Sequence, residues 1–129
     1  MTKILIVEDE AIQRLALQDF LTKKGFTVLE AADGLVGLDV ALKEHPDVTL
    51  LDVRMPKMGG MTMMHKLRED EWGKNASIII LTNYDANDEL LLQMTKDLPS
   101  YYLVKALSSL ESILEKINEV LETKAKSTK

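Results

Sequence analysis

The chain has 129 residues, 16 basic and 21 acidic, for a net charge of −5, and it contains no cysteine. That length fits one domain of ordinary size, and the lack of cysteine excludes disulfides and thiolate metal sites. The acidic balance weighs against direct nucleic-acid binding, nothing in the first residues resembles a secretory signal, and no apolar stretch approaches the ~20 residues of a membrane helix, so a cytoplasmic protein without a membrane partner is expected.

Short runs rich in Ile, Val and Leu alternate with longer amphipathic stretches. The first run, Lys3–Val7, leads into Glu8, Asp9 and Glu10. A helix follows, with Ile12, Leu15, Leu17, Phe20 and Leu21 on one broad apolar face and Gly25 as its stop. After the second run, Thr27–Ala31, Asp33 is placed to cap a helix carrying Val36, Leu38, Val40 and Ala41, which ends before Pro46. The third run, Val48–Asp52, closes on an acid, and the helix of about Gly60–Asp70 after it presents Met63, Met64 and Leu67. Trp72 falls in the segment beyond, where packing rather than partner contact is its expected role. The fourth run is Ser77–Thr82, followed by a helix of about Asp85–Lys96 that starts at an Asp/Asn cluster. The fifth is Tyr101–Val104. A capping box, Ser108-Ser109-Leu110-Glu111, opens the last helix, which carries Leu110, Ile113, Leu114, Ile117, Val120 and Leu121. Lys124, Lys126 and Lys129 then read as a solvated basic tail, so the expected division is a domain over 1–123 and a flexible tail over 124–129.

Near-continuous apolarity suits strands covered on both faces, and five β-α units in alternation make a doubly wound α/β sheet of five parallel strands with five helices. Right-handed crossovers leave few topologies, of which the flavodoxin-like order 2-1-3-4-5 is the expected one. Ligands of such sheets bind beyond the carboxyl ends of the strands, at the switch point between strands 1 and 3. The sequence places Glu8, Asp9 and Glu10 after strand 1, Asp52 at the end of strand 3, Thr82 at the end of strand 4 and Lys105 after strand 5.

Carboxylates gathered at one sheet edge repel one another, and a hard divalent cation resolves that conflict. Mg²⁺ takes oxygen ligands, typically one or two carboxylates with waters and a phosphate oxygen. Asp9 and Asp52 are the expected direct ligands, with Glu8 acting through water and a backbone carbonyl after Asp52 adding an oxygen. A carboxylate can also attack phosphorus and carry an acyl phosphate. Phosphoryl transfer then needs its equatorial oxygens neutralised, a task that Mg²⁺, the Lys105 ammonium and the Thr82 hydroxyl divide among them. Each residue alone has an ordinary explanation: a strand-end Asp caps loops, a Thr forms strands, a Lys is solvated. Their convergence on one edge is what points to chemistry.

In four segments, KILIVEDE (Lys3–Glu10), LDVRMPKMGG (Leu51–Gly60), ILT (Ile80–Thr82) and YLVK (Tyr102–Lys105), the chain resembles the receiver domain of two-component response regulators over essentially its whole length. The second segment is the most specific, since it joins the strand-end acid to Met55-Pro56 and Gly60 at the family's spacing. The resemblance implies that Asp52 is the phosphoacceptor, that Glu8 and Asp9 are the acidic pair, and that the main-chain carbonyl of Arg54 ligates the metal. It makes Thr82 and Lys105 the conserved hydroxyl and lysine. It makes Tyr102 the aromatic that turns when the threonine moves, altering the face formed by the fourth helix, fifth strand and fifth helix. It further implies a sensor histidine kinase or phosphotransfer protein as donor and an unidentified downstream protein as target. No enzymatic activity is implied beyond the domain's own phosphorylation and dephosphorylation.

The chain departs from the family pattern at two places. Ala106 stands where proline follows the lysine, and Asn83 stands where a very small residue follows the threonine. Arg54 and Tyr84 are expected to flank the path of the hydrolytic water, and Asn83 to narrow it. A cis peptide costs about 2.5–4 kcal/mol before any residue but proline, so the Lys105–Ala106 bond is expected to be trans. The competing reading is a pseudo-receiver, a protein-binding scaffold without phosphorylation. A flavin or nucleotide module is disfavoured because Glu8-Asp9-Glu10 would repel a phosphate at the first turn. An aspartate-based phosphatase is disfavoured because Asp9 is followed by Glu10 and Ala11 rather than by a second Asp two residues on.

Overall fold

The computed structural model describes residues 2–53, 57–82, 101–104 and 109–127, with 82, 101–104 and 124–127 described through the backbone alone. Five strands, β1 (Lys3–Val7), β2 (Thr27–Ala31), β3 (Val48–Asp52), β4 (Ile78–Thr82) and β5 (Tyr101–Val104), form one sheet in the order β2-β1-β3-β4-β5. Every neighbouring pair is parallel. This is the doubly wound, flavodoxin-like sheet that the alternating pattern predicts.

Side chains of a strand point alternately to opposite faces, so strands buried on both sides must be apolar at nearly every position. Ile4, Ile6, Val48, Leu50, Ile79 and Leu81 accordingly serve one face and Leu5, Val7, Leu51, Ile78 and Ile80 the other. The first face is covered by α1 (Ala11–Lys23) and the C-terminal helix (Leu110–Ser127), through Leu17, Leu21, Ile113, Ile117 and Val120. The second is covered by α2 (Gly34–Glu44) and α3 (Gly60–Arg68), through Ala41, Met63, Met64 and Leu67. The predicted fourth helix, about Asp85–Lys96, lies outside the described residues.

Local signals act largely as read. Asp33 caps α2, its side chain accepting from the Val36 N–H at 2.8 Å. Gly25, at φ +97, stops α1, with its own N–H on the Thr22 carbonyl and that of Phe26 on Leu21, the paired bonds of a left-handed helix terminus. Trp72 packs beside the α2–α3 core and stacks on His45 with ring centroids 4.4 Å apart, in keeping with a packing role.

Some details differ from the sequence reading. Ile12 and Leu15 do not join the apolar face of α1; they are 85% and 56% exposed. At 3.6 residues per turn Ile12 lies about half a turn around the helix from Leu21, so one stripe cannot hold both. The C-terminal helix is capped by Ser109, whose Oγ accepts from the Ser112 N–H at 3.1 Å, one residue later than the box at Ser108 and Glu111. That helix also runs on to Ser127, so residues 124–127 continue it instead of forming a loose tail. Lysine and alanine both favour helix, which accounts for the extension. Among the described residues no helix is long and apolar enough to cross a membrane.

Candidate functional site

The register of β1 against β3 sets Val7 opposite Leu51, so the residue after Val7 stands level with Asp52. Glu8 follows β1 directly, its N–H still bonded to the Ala31 carbonyl of β2 at 3.1 Å, so it is held by the sheet although it lies past the strand. Asp52 is the last residue of β3. Side-chain oxygens of Glu8, Asp9 and Asp52 all lie within 4.8 Å of one another. Glu8 and Asp52 are 2% and 5% exposed, whereas Asp9 faces solvent. Withdrawing two carboxylates from water beside a third is costly, and a bound cation offsets that cost. With oxygen donors alone, the trio suits a hard ion such as Mg²⁺ or Ca²⁺ rather than a thiophilic one.

Two backbone features fix the acids. The Glu10 N–H donates to Glu8 Oε1 at 3.2 Å, turning the loop back on its own side chain. Gly60, the first residue of α3, donates its N–H to the Val53 carbonyl at 2.8 Å, and a Cβ there would overlap the carbonyl oxygen of Asp52. Only glycine lets α3 begin so close to the strand end. Between them, Lys57 adopts a left-handed conformation at φ +66 and its ammonium lies 3.8 Å from Asp33 Oδ2, at the cap of α2.

Residues 4–118 match the family model of the response regulator receiver domain. The chain belongs to that family. Sporulation initiation phosphotransferase F of Bacillus subtilis is 36% identical over 96 residues, covering 74% of this chain and 74% of that protein. Protein PilH of Pseudomonas aeruginosa is 34% identical over 124 residues, covering 94% of this chain and 98% of PilH. The solved structure of chemotaxis protein CheY4 from Vibrio cholerae aligns with a TM-score of 0.85 at 30% identity, over 94% of this chain and 99% of that one.

In this receiver domain β4 ends at Thr82, whose backbone pairs with Val104, and Tyr102 stands two pairs lower, opposite Ile80. Thr82 therefore borders the same carboxyl edge as Asp52, since Asp52 pairs with Leu81. Arg54, Asn83, Tyr84, Lys105 and the Lys105–Ala106 bond lie outside the described residues. One residue the motif reading passed over is Arg14, in the first turn of α1. Its Nη1 donates to the main-chain carbonyl of Glu8 at 2.8 Å and its Nε lies 3.4 Å from Glu30 Oε1. Its partner is a backbone atom, which no motif records; a basic residue one turn into the helix after an acidic loop was the available signal.

Proposed function

We propose that this receiver domain is a phosphoacceptor switch in which Asp52 accepts a phosphoryl group while Glu8, Asp9 and Asp52 hold Mg²⁺. The observation that carries the reading is the convergence of the three carboxylates at the end of β3, in a chain of this family. A carboxylate oxygen of Asp52 forms a bond to the phosphorus of the donor as the bond to the leaving group breaks, giving an acyl phosphate. Bound Mg²⁺ supplies neutralisation of the negative charge that gathers on the phosphoryl oxygens. The main-chain carbonyl of Arg54 adds a ligand to the ion, and Lys105 and Thr82 balance the remaining oxygens. Asn83 and Tyr84, with Arg54, border the approach of the hydrolytic water. Thr82 drawn toward the phosphoryl group lets Tyr102 turn inward, which alters the face that β5 shares with the helices before and after it in sequence.

The reading assigns one domain that runs to the end of the C-terminal helix, in the cytoplasm, with no turnover of other substrates. Its donor is a sensor histidine kinase or a phosphotransfer protein and its target a further protein. The first two turns of α1 expose Ile12 and Leu15 immediately after the acidic loop, an apolar surface suited to contact with the donor. The meeting of all three acids weighs against a pseudo-receiver scaffold.

Incubation with Mg²⁺ and acetyl phosphate tests the reading. Intact mass should rise by one phosphoryl group, in an adduct that hydroxylamine cleaves and that Asp52→Asn lacks. A stable adduct on Ser or Thr, or labelling that persists in Asp52→Asn, would overturn it.

A further inference from the structure

Arg14 makes contacts that none of the expected site chemistry uses. It stands in the first turn of α1, yet its guanidinium reaches back to the acidic loop, to the Glu8 carbonyl at 2.8 Å and to Glu30 Oε1 at 3.4 Å. Glu30 is part of β2, so the side chain bridges the ends of two neighbouring strands. The Arg14 side chain is 19% exposed and that of Glu30 35%, so the bridge is only partly shielded from water. A guanidinium offers donors in a fixed planar fork, so it can satisfy a carbonyl and a carboxylate in two directions at once.

The carbonyl that Arg14 holds belongs to the peptide leading into Asp9. A peptide is planar, so fixing its oxygen fixes the plane from which the Asp9 backbone departs. The three acids differ in how much they need such help. Glu8 and Asp52 are buried, Glu8 with its N–H in the sheet ladder and Asp52 within β3. Asp9 is exposed, in the loop between β1 and α1, so the direction of its carboxylate depends on the backbone beneath it. We infer that Arg14 is a positioning residue of the acidic site, orienting the Glu8–Asp9 peptide so that the Asp9 carboxylate joins those of Glu8 and Asp52 around a cation. This inference rests on the metal-binding reading given above and assigns a residue to it.

Charge and position predict opposite signs. As a bare positive charge near a cation site, Arg14 would repel the ion, and its removal would tighten Mg²⁺ binding. Its pairing with Glu30 cancels much of that repulsion, because the guanidinium and carboxylate present little net charge to an ion farther away. Orientation is then the larger effect, and removal of Arg14 loosens Mg²⁺.

Calorimetric titration of the full chain with MgCl₂, without phosphodonor, separates the two. Arg14→Ala should bind Mg²⁺ about tenfold more weakly, the low end of what loss of a group behind a metal ligand costs. Arg14→Lys keeps the charge but cannot span both partners, and should also bind more weakly than wild type. Glu30→Gln removes one anchor and leaves the bond to Glu8, so a loss of about two- to threefold is expected, as a partly exposed ion pair contributes little. The labelling rate of Arg14→Ala with acetyl phosphate should rise with Mg²⁺ concentration over a range in which wild type is already saturated. Mg²⁺ binding in Arg14→Ala equal to or tighter than wild type overturns the inference. If that variant does not fold, undiminished binding in Arg14→Lys overturns it in the same way. Wild-type protein that binds no Mg²⁺ would instead remove the metal-binding reading on which the inference stands.

Discussion

On the face covered by α2 and α3, helices close on the sheet and its loops through backbone contact. A Cβ on Gly34 would overlap the Met58 carbonyl, one on Gly37 would lie 2.8 Å from a Val7 methyl, and one on Gly60 would overlap the Asp52 carbonyl. On the face covered by α1 and the C-terminal helix, contact runs from side chain to side chain, with Leu17, Leu21, Ile113, Ile117 and Val120 against the strands. The first arrangement clamps the loop that follows Asp52 and so serves the geometry of the site. The second arrangement is apolar packing, and because it recruits only part of α1, it leaves Ile12 and Leu15 free for other contacts. Both faces bury a core, but the clamp on the end of β3 belongs to the α2–α3 face, while α1 reaches the site through the Arg14 side chain, an asymmetry that mutations can test.

Ile117→Ala should produce the largest change. Ile117 is fully buried, and its truncation leaves both lost transfer energy and a cavity, about 2–5 kcal/mol in urea denaturation. Labelling by acetyl phosphate, measured where the variant is folded, should stay near wild type. A folded variant that lost labelling would show that the site depends on both faces.

Gly60→Ala should be the converse. One methyl forced against the Asp52 carbonyl costs about 1–3 kcal/mol, less than the cavity at Ile117, because overpacking can be relieved by a shift of α3. That same shift moves the strand end, so labelling should fall sharply at a smaller stability cost. Unchanged labelling would mean that the clamp at Gly60 is ordinary packing.

The part of this division that reads directly from the chain is the part carried by periodicity. β1, β2 and β3 stand at their expected bounds because burial on both faces forces continuous apolarity, which few other structures demand. The β4 strand begins at Ile78 instead of Ser77, although the Ser77 carbonyl still accepts from the Thr49 N–H of β3 at 2.9 Å, so ladder and strand end one residue apart. The acidic trio was readable because topology alone brings residues 8, 9 and 52 together. Arg14 on the Glu8 carbonyl, the left-handed Lys57 and the approach of Gly60 to Asp52 were not, since each involves a backbone atom whose identity is the same at every position. The buried face of α1 is narrower than its apolar content implies, because Ile12 and Leu15 sit at angles around the axis that turn them away from the sheet.

Ser109→Ala sharpens the account of the stabilising face at smaller scale. Loss of the hydroxyl leaves the Ser112 N–H without its cap and should cost about 1 kcal/mol. A fall in Tm of roughly 3–5 °C is expected for a chain of this size. No change in Tm would indicate that a neighbouring serine takes over the role.

The smallest effect on stability belongs to Ile12 and Leu15. Replacing both with serine removes apolar surface that folding leaves in water, 85% and 56% exposed respectively, so the native state loses almost no burial. Substitutions of this kind usually fall within about 0.5 kcal/mol of wild type. Labelling by acetyl phosphate should be unaffected, because neither residue is among the acids or the backbone that orients them. Transfer from a phosphohistidine protein that labels the wild type is a different matter, since the donor must dock beside the carboxyl edge and α1 rises directly from it. Two well-packed apolar anchors at an interface commonly cost more than 1 kcal/mol each when lost, so transfer should slow by about tenfold or more. Equal loss with both donors would assign the residues to the site itself, and no loss with either would leave the exposed face of α1 without a role in docking. Only the split, protein donor impaired and small donor intact, matches a helix whose exposed apolar residues serve docking while its Arg14 serves the acidic site.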